Sequence, residues 1–277
     1  MAEALMLQLP TSPETIRLSL FVGLFCLLAL AELFWPRRPL RVAKNRRWLA
    51  NIGIIVTDSL VVRLLFPVLP ITLAATAQAN SWGLFNLITV TGWPELIAGL
   101  LILDLIIYLQ HRLFHRIPLL WRLHRMHHTD LDLDVSSGTR FHPLEIALSL
   151  LIKMAAVLIF GISPLTVLLF EVILNATSMF NHANLAIPLS IDRWLRLVLI
   201  TPDMHRVHHS VIPKETDSNF GFSQPWWDRL LGTYRDQPKE GHTGMTIGLH
   251  EYRNQQELGF WRLLRIPFES TPVRRAL

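Results

Sequence analysis

Apolar residues in this chain fall into long runs separated by short basic or histidine-rich stretches, not at the three- and four-residue spacing of a water-soluble helical bundle. The first run, Thr15 to Trp35, holds about 20 mostly apolar residues, enough to cross a hydrocarbon core. No small-residue cleavage site precedes the Pro36-Arg37-Arg38 that follows, so the run reads as a retained span and not a secretory leader. A second run extends from Leu49 to Ala75, with Asp58 and Arg63 expected to face the bundle interior or each other. Ala79 to Trp93 reads as a loop or short interfacial helix, and Glu95 to Gln110 as a third span ending at His111. Pro143 to Ala176 is apolar around a Gly161-Ile162-Ser163-Pro164 break, which predicts a helical hairpin that leaves one face and returns to it. From Asn181 onward the chain is mixed polar and aromatic, a cap with no linker to detach it, so residues 1–277 read as a single membrane domain.

Charge fixes the expected orientation. Pro36 to Trp48 carries Arg37, Arg38, Arg41, Lys44, Arg46 and Arg47 and no acidic residue, a cytoplasmic loop by the positive-inside rule and a topology signal more than a binding site. The N-terminus is then outside. The third span and the return leg of the hairpin both end in the cytoplasm, so a count of four spans puts every histidine cluster on one face; a miscounted span would separate them by the bilayer. The expected fold is an all-α integral membrane protein with about four transmembrane helices and a cytoplasmic histidine-rich cap, placed in a bacterial inner membrane. Trp226 and Trp227 suit an interfacial belt.

Composition agrees: 51% hydrophobic against 17% charged is too apolar for a soluble domain of 277 residues. The net charge of +5 is clustered, which suits anionic headgroups, and nothing resembles a nucleic-acid module. The one cysteine, Cys26, lies in an apolar run, which excludes an intrachain disulfide or a cysteine-based metal site. There is no Gly-rich βα turn for a flavin or nicotinamide and no haem motif.

The outlier is twelve histidines. His111 and His115 form HxxxH, which on a helix puts two imidazoles on one face a turn apart. His124, His127 and His128 form HxxHH, whose adjacent pair diverges by roughly 100° about the axis, so that it can serve two metals. His205, His208 and His209 repeat the pattern, and His182 stands alone at the end of the hairpin. Any one of these taken singly is an ordinary surface or core histidine. Eight of them in three ligand-spaced motifs beside span ends would repel one another as cations, and this points to neutral, metal-bound rings. His242 and His250 lack ligand spacing and read as surface residues. Asp104, Asp130, Glu145, Asp203 and Asp228 lie near the motifs, where a carboxylate can accept the outer N–H of an imidazole. For Asp130 a solvated loop, and for Asp228 a helix cap, are the competing readings.

Neutral imidazole suits zinc, copper, nickel and iron. A structural zinc needs four ligands, whereas nine imidazoles suffice for two metals with positions left open. Two irons that activate O2 account for the number and for the membrane, with a lipid as substrate, since no side chain alone supplies an oxidant for an unactivated C–H bond. A zinc-dependent membrane hydrolase or isomerase is the alternative. A metal transporter fits less well, because its ligands should lie near mid-bilayer.

The segments HRLFH, WRLHRMHH, RFHPLE, NHANL, TPDMHRVHHS and WWDRLLGTY, in this order from about Asp104 to Tyr234, resemble the fatty acid hydroxylase and sterol desaturase superfamily. The resemblance implies a helical membrane fold with a cytosolic-side, histidine-bound di-iron site, O2 as co-substrate and electrons from a separate donor, a ferredoxin or a b-type cytochrome with its reductase. Members hydroxylate, desaturate or cleave ethers in fatty acyl, sterol-like or alkylglycerol-type lipids, and hydroxylation makes the smaller demand on the site. Zinc can replace iron in overexpressed protein. The basic residues Arg112, Arg116, Arg122 and Arg125 are equally suited to an acidic electron carrier and to lipid phosphate. One departure concerns the position four residues before His182, where members often carry a further polar residue or a histidine and this chain has Ser178, a weaker ligand. His142 is therefore included as a tenth candidate, to bind metal or to orient the site from outside.

Overall fold

The computed structural model describes residues 12–254 and 258–270, and among these the regular structure is helical, with no strand. Helix α1, Pro13–Phe34, opens on Ser12, whose Oγ accepts the Thr15 amide at 3.2 Å. Helix α2, Lys44–Leu65, follows the basic loop. The predicted second span does not continue to Ala75. Pro67 and Pro70 supply no amide for the helical ladder and disfavour helical geometry at the residues before them, so the chain breaks and restarts as α3, Pro70–Ala79. Asp58 is buried in the bundle and Arg63 is exposed, so the two do not face each other. The next segment contains only the single turn α4, Leu84–Leu87.

Helix α5, Trp93–Arg116, runs past Gln110 and carries both His111 and His115. A corner at Ile117-Pro118 leads into α6, Pro118–His128, which holds the first HxxHH. The hairpin is α7, Pro143–Phe160, and α8, Pro164–His182. Gly161 ends α7 in the left-handed region at φ +67°, and an added Cβ would sit 2.8 Å from the Trp82 carbonyl. Beyond it come α9, Leu189–Leu195, α10, Pro202–His208, α11, Pro213–Thr216, α12, Trp226–Leu230, α13, Gly241–Gly244, and α14, Phe260–Arg265.

Five segments are long and apolar enough to cross a membrane: α1, Lys44–Leu87, α5, α7 and α8. The count exceeds four because each leg of the hairpin, 18 and 19 residues, qualifies by itself. Helix α8 packs against α1, α3 and α5, and α2 packs against α7. Ala74, Leu103, Ile107, Val157 and Phe170 form the core of that bundle. A second core, including Ile54, Trp121, Met126, Leu249 and Leu263, seats the C-terminal segment against α2 and α6. The outward faces of α1 and α2 expose Leu18, Leu27, Leu33, Leu60 and Leu64, as lipid-facing helices do.

Buried charge ties the histidine helices to the spans. Glu32, near the end of α1, accepts the amides of Val135 at 2.7 Å and Asn184 at 2.9 Å. Arg47 on α2 meets Asp130 at 2.7 and 3.0 Å and Asp134 at 2.8 Å, and donates to the Asp132 carbonyl at 2.8 Å. Asp130 is thus buried in an ion pair and not in a solvated loop, and its carboxyl is held far below the ordinary value because the Arg47 and Arg140 charges outweigh its desolvation. Replacing Arg47 with Met leaves buried Asp134 without its cation and buried Asp130 with only Arg140, at 4.0 Å. The expected cost is about 3–5 kcal/mol of stability, read as a lowered thermal midpoint in detergent, and an unchanged midpoint would mean the pair is solvated.

Candidate metal centre

Four separate pieces of the chain bring the nine motif histidines together. The HxxxH pair comes from the last turn and a half of α5, and the two HxxHH motifs from the C-terminal ends of α6 and α10. His182 is the last residue of α8. The rings fall into two groups, in each of which the ligand atoms lie within 4.8 Å of one another. One group is His111, His115, His124, His128 and His208; the other is His127, His182, His205 and His209. Each HxxHH motif is divided between the groups, as the divergence of adjacent helical positions requires.

The outer ring nitrogens determine which inner nitrogens are free to bind. Nδ1 of His111 donates to the Phe220 carbonyl at 2.7 Å, and Nδ1 of His208 to the Ser218 carbonyl at 2.7 Å. Nδ1 of His127 donates to the Arg140 carbonyl at 3.0 Å and Nδ1 of His182 to the Ser178 carbonyl at 2.7 Å. Carbonyls only accept, so in each ring the proton is on Nδ1 and the lone pair on Nε2. Those lone pairs converge. The Nε2 atoms of His182 and His127 are 3.0 Å apart, and that of His182 lies 3.1 Å from those of both His205 and His209. Nε2 of His111 is 3.0 Å from Nε2 of His124.

Both ring nitrogens of His128, and Nδ1 of His205 and of His209, are buried without a hydrogen-bond partner. His127, His128, His205 and His209 are pushed well below the usual imidazole pKa, first by burial and then by neighbouring rings. They are neutral at pH 7. Converging lone pairs on neutral, fully desolvated rings repel unless a cation lies between them, and the donor set fits nitrogen-bound transition metals.

Among the described residues, the carboxylates hydrogen-bonded to these rings reach the five-histidine group. Glu145 Oε1 accepts from His124 Nδ1 at 2.7 Å, and Asp217 Oδ1, on a half-exposed side chain, from His115 Nδ1 at 3.2 Å. Glu145 acts as the sequence suggested. Asp104 instead accepts from Trp227 at 2.8 Å, and Asp203 pairs with Arg37 at 3.1 Å and with Arg206. Asp228 does not hold an imidazole directly but accepts the amides of Phe220 and Gly221, each at 2.8 Å.

His142 joins neither group. It stands at the start of α7, where its Nδ1 accepts the Leu144 amide at 3.2 Å and its Nε2 lies 3.3 Å from the Leu264 carbonyl, so both ring nitrogens are engaged away from the other histidines. The Ser178 hydroxyl points elsewhere too, donating to the Gly138 carbonyl at 2.7 Å. His242 is not a surface residue: it is 5% exposed, with Nε2 at 2.9 Å from Gln237 Oε1 and 3.5 Å from Asp203 Oδ2. His250 is exposed. Arg125 is buried and donates to the Ile266 and Glu269 carbonyls, which removes it from the proposed basic surface. Sequence reading missed the Asp217–Phe220 loop, because its contacts to His115, His208 and His111 run largely through carbonyls that no residue type announces. Its one faint signal is Asn219 at φ +53°, a residue tolerant of that region.

The sequence profile of the family described as fatty acid hydroxylase matches residues 96–233, about half of the chain. The ornithine lipid hydroxylase OlsE of Rhizobium tropici is 31% identical over 159 residues, 56% of this chain and 47% of its own length. Human alkylglycerol monooxygenase is 28% identical over 180 residues, 62% of this chain and 38% of that enzyme. Human cholesterol 25-hydroxylase is 30% identical over 138 residues, 49% of each chain. The match thus spans about half the length of these curated relatives or less, and no solved structure matches the chain. The matched stretch begins at the first turn of α5, ends just past α12 and contains every histidine of both groups, so the shared sequence coincides with the scaffold of the histidine cluster: the chain belongs to the fatty acid hydroxylase family.

Proposed function

We propose that the protein is an O2-dependent lipid hydroxylase whose nine histidines hold two iron ions, five on one and four on the other. The observation that carries the reading is the division of the rings into two adjoining groups, with the Nε2 atoms of His127, His182, His205 and His209 converging in one and with the outer nitrogens of His111, His127, His182 and His208 held by backbone carbonyls. When bound, the irons would supply the O2-activating redox chemistry that the side chains lack. The chain's own part is geometric. Backbone carbonyls hold His111, His127, His182 and His208 in one tautomer, the Glu145 carboxylate orients the His124 ring, and burial favours the neutral form of His127, His128, His205 and His209.

The relatives named for ornithine lipids, alkylglycerols and cholesterol support a membrane lipid as substrate, taken from the bilayer that the five apolar segments imply. The arginine-rich loop before α2 supports a cytoplasmic site in a bacterial inner membrane, where a ferredoxin or a cytochrome b with its reductase would supply electrons. Protein purified in mild detergent from iron-replete cells is expected to hold about two irons per chain. With a reductase system, bacterial lipid extract and 18O2, it should yield a lipid carrying one labelled oxygen. A single metal per chain, or zinc with turnover that ignores O2, would replace this reading with a zinc hydrolase or isomerase.

A further inference from the structure

Helices α9 and α12 are built inside out. On α9 and its C-cap, Asp192 and Arg196 are buried and form an ion pair facing the protein, with Arg196 also reaching Asp236, while Arg193 is exposed. Its apolar residues point outward, with Trp194 63% exposed and Leu189, Ile191 and Val198 exposed beside it. Helix α12 continues the face, with Leu230 74% exposed and Leu231 next to it. The two helices form one unit, since the Trp226 indole donates to the Leu197 carbonyl at 2.8 Å and Arg229 to the Arg196 carbonyl at 3.1 Å. A cap surrounded by water would place these residues the other way round.

The height of this ledge along the bundle identifies what covers it. Glu95, in the first turn of α5, accepts the Ser163 amide at the α7–α8 turn at 2.9 Å, so these residues mark the end of the bundle remote from the histidines. Trp227 donates to Asp104 at 2.8 Å, and Asp104 is nine residues beyond Glu95 on α5. At 1.5 Å per residue that is about 14 Å from the remote end. Helix α5 runs on for seven more residues, about 10 Å, before it reaches His111, so Asp104 lies inside the membrane-crossing part of the helix, on the histidine side of the midpoint between Glu95 and His111. The ledge therefore lies beside a span and within its length, not beyond the span's end. Arg193, with its guanidinium 5.3 Å from the Trp194 ring, gives the helix a cationic edge for phosphate above an apolar face.

We infer that α9 and α12 form a monotopic ledge that is embedded, apolar face outward, in the acyl region of the leaflet on the histidine side, so that the segment after α8 is part of the membrane domain and not a water-exposed cap. The inference does not depend on metal identity or on the reaction.

The test uses full-length protein in phosphatidylglycerol and phosphatidylcholine vesicles. After Cys26→Ser, a nitroxide is attached at Trp194→Cys or, independently, at Leu230→Cys. Reference labels go at Leu27→Cys on the lipid-facing side of α1 and at His250→Cys on the exposed loop. Both ledge labels are expected to behave like Leu27, severalfold more accessible to O2 than to a water-soluble nickel chelate. Nickel accessibility equal to that at His250 would overturn the inference. So would spin–spin broadening between ledge labels that vanishes on dilution with unlabelled chain, because the face would then be covered by a second copy.

Discussion

His127→Ala and His208→Ala are each expected to reduce O2-dependent lipid oxidation below detection, at least about a hundredfold, while the protein still inserts in the membrane. The two positions sample the two groups. His208 is one of the five rings of one group and His127 one of the four rings of the other. His127 is also fixed on both sides, by the Arg140 carbonyl at 3.0 Å and by Phe141 stacked on its ring at 4.4 Å. Alanine leaves the remaining inner nitrogens facing a cation with one fewer neutral donor, which alters both geometry and potential. Insertion survives because apolar length drives it. The control is His250→Ala, an exposed ring outside both groups, which should leave turnover within about twofold, as surface changes generally do. His242 is a poorer control than its spacing suggested, since its buried ring contacts Gln237 and lies beside Asp203 on the helix that carries His205 and His208. The assay is product formation by mass spectrometry at matched expression. Full activity in either cluster variant would remove that group from the site, and loss of activity in His250→Ala would extend the site to a loop that contributes to neither group.

What the sequence made legible follows from the physics that acts along the chain. Span positions are a local property, because a run of about 20 apolar residues crosses a bilayer wherever it occurs. Ligand spacing is local too, since HxxxH and HxxHH fix the relative directions of rings on one helix, and this is why the nine motif histidines were identifiable before any contact was known. The hairpin at Gly161-Ile162-Ser163-Pro164 was marked by its breakers. Through-space contacts had no such signature. That Asp130 pairs with Arg47, 83 residues earlier, depends on α2 lying against the loop after α6. The inward turn of His242 depends on α13 closing over α10, and the engagement of His142 on its place at the head of α7. The break at Pro67 and Pro70 was written in the sequence and was overridden by hydropathy alone, a case where backbone chemistry outranks apolar content.

Asp228→Ala is expected to loosen one metal and spare the other. Asp228 is fully buried; its two oxygens accept the Phe220 and Gly221 amides at 2.8 Å each, and the Thr233 hydroxyl donates to Oδ1 at 2.6 Å. Those bonds fix the loop from which Phe220 accepts His111, Ser218 accepts His208 and Asp217 accepts His115. All three rings belong to the five-histidine group, whereas His127 and His182 are held by Arg140 and Ser178, far from this loop in sequence. Removing the carboxylate leaves two buried amides unpaired and frees three ligand rings to tilt, without touching any inner nitrogen. Loss of an outer hydrogen bond of this kind costs roughly 10–100-fold in metal affinity. Asp228→Asn keeps one acceptor oxygen for one of the two amides and should fall between wild type and alanine. The measurement is chelator competition on purified, iron-loaded protein. Wild type should release both metals late, and Asp228→Ala should release about one per chain early and keep the second at the wild-type rate. Equal loosening of both metals would mean that Asp228 stabilises the fold as a whole, and unchanged retention of both would mean that the Asp217–Phe220 loop holds its shape without it.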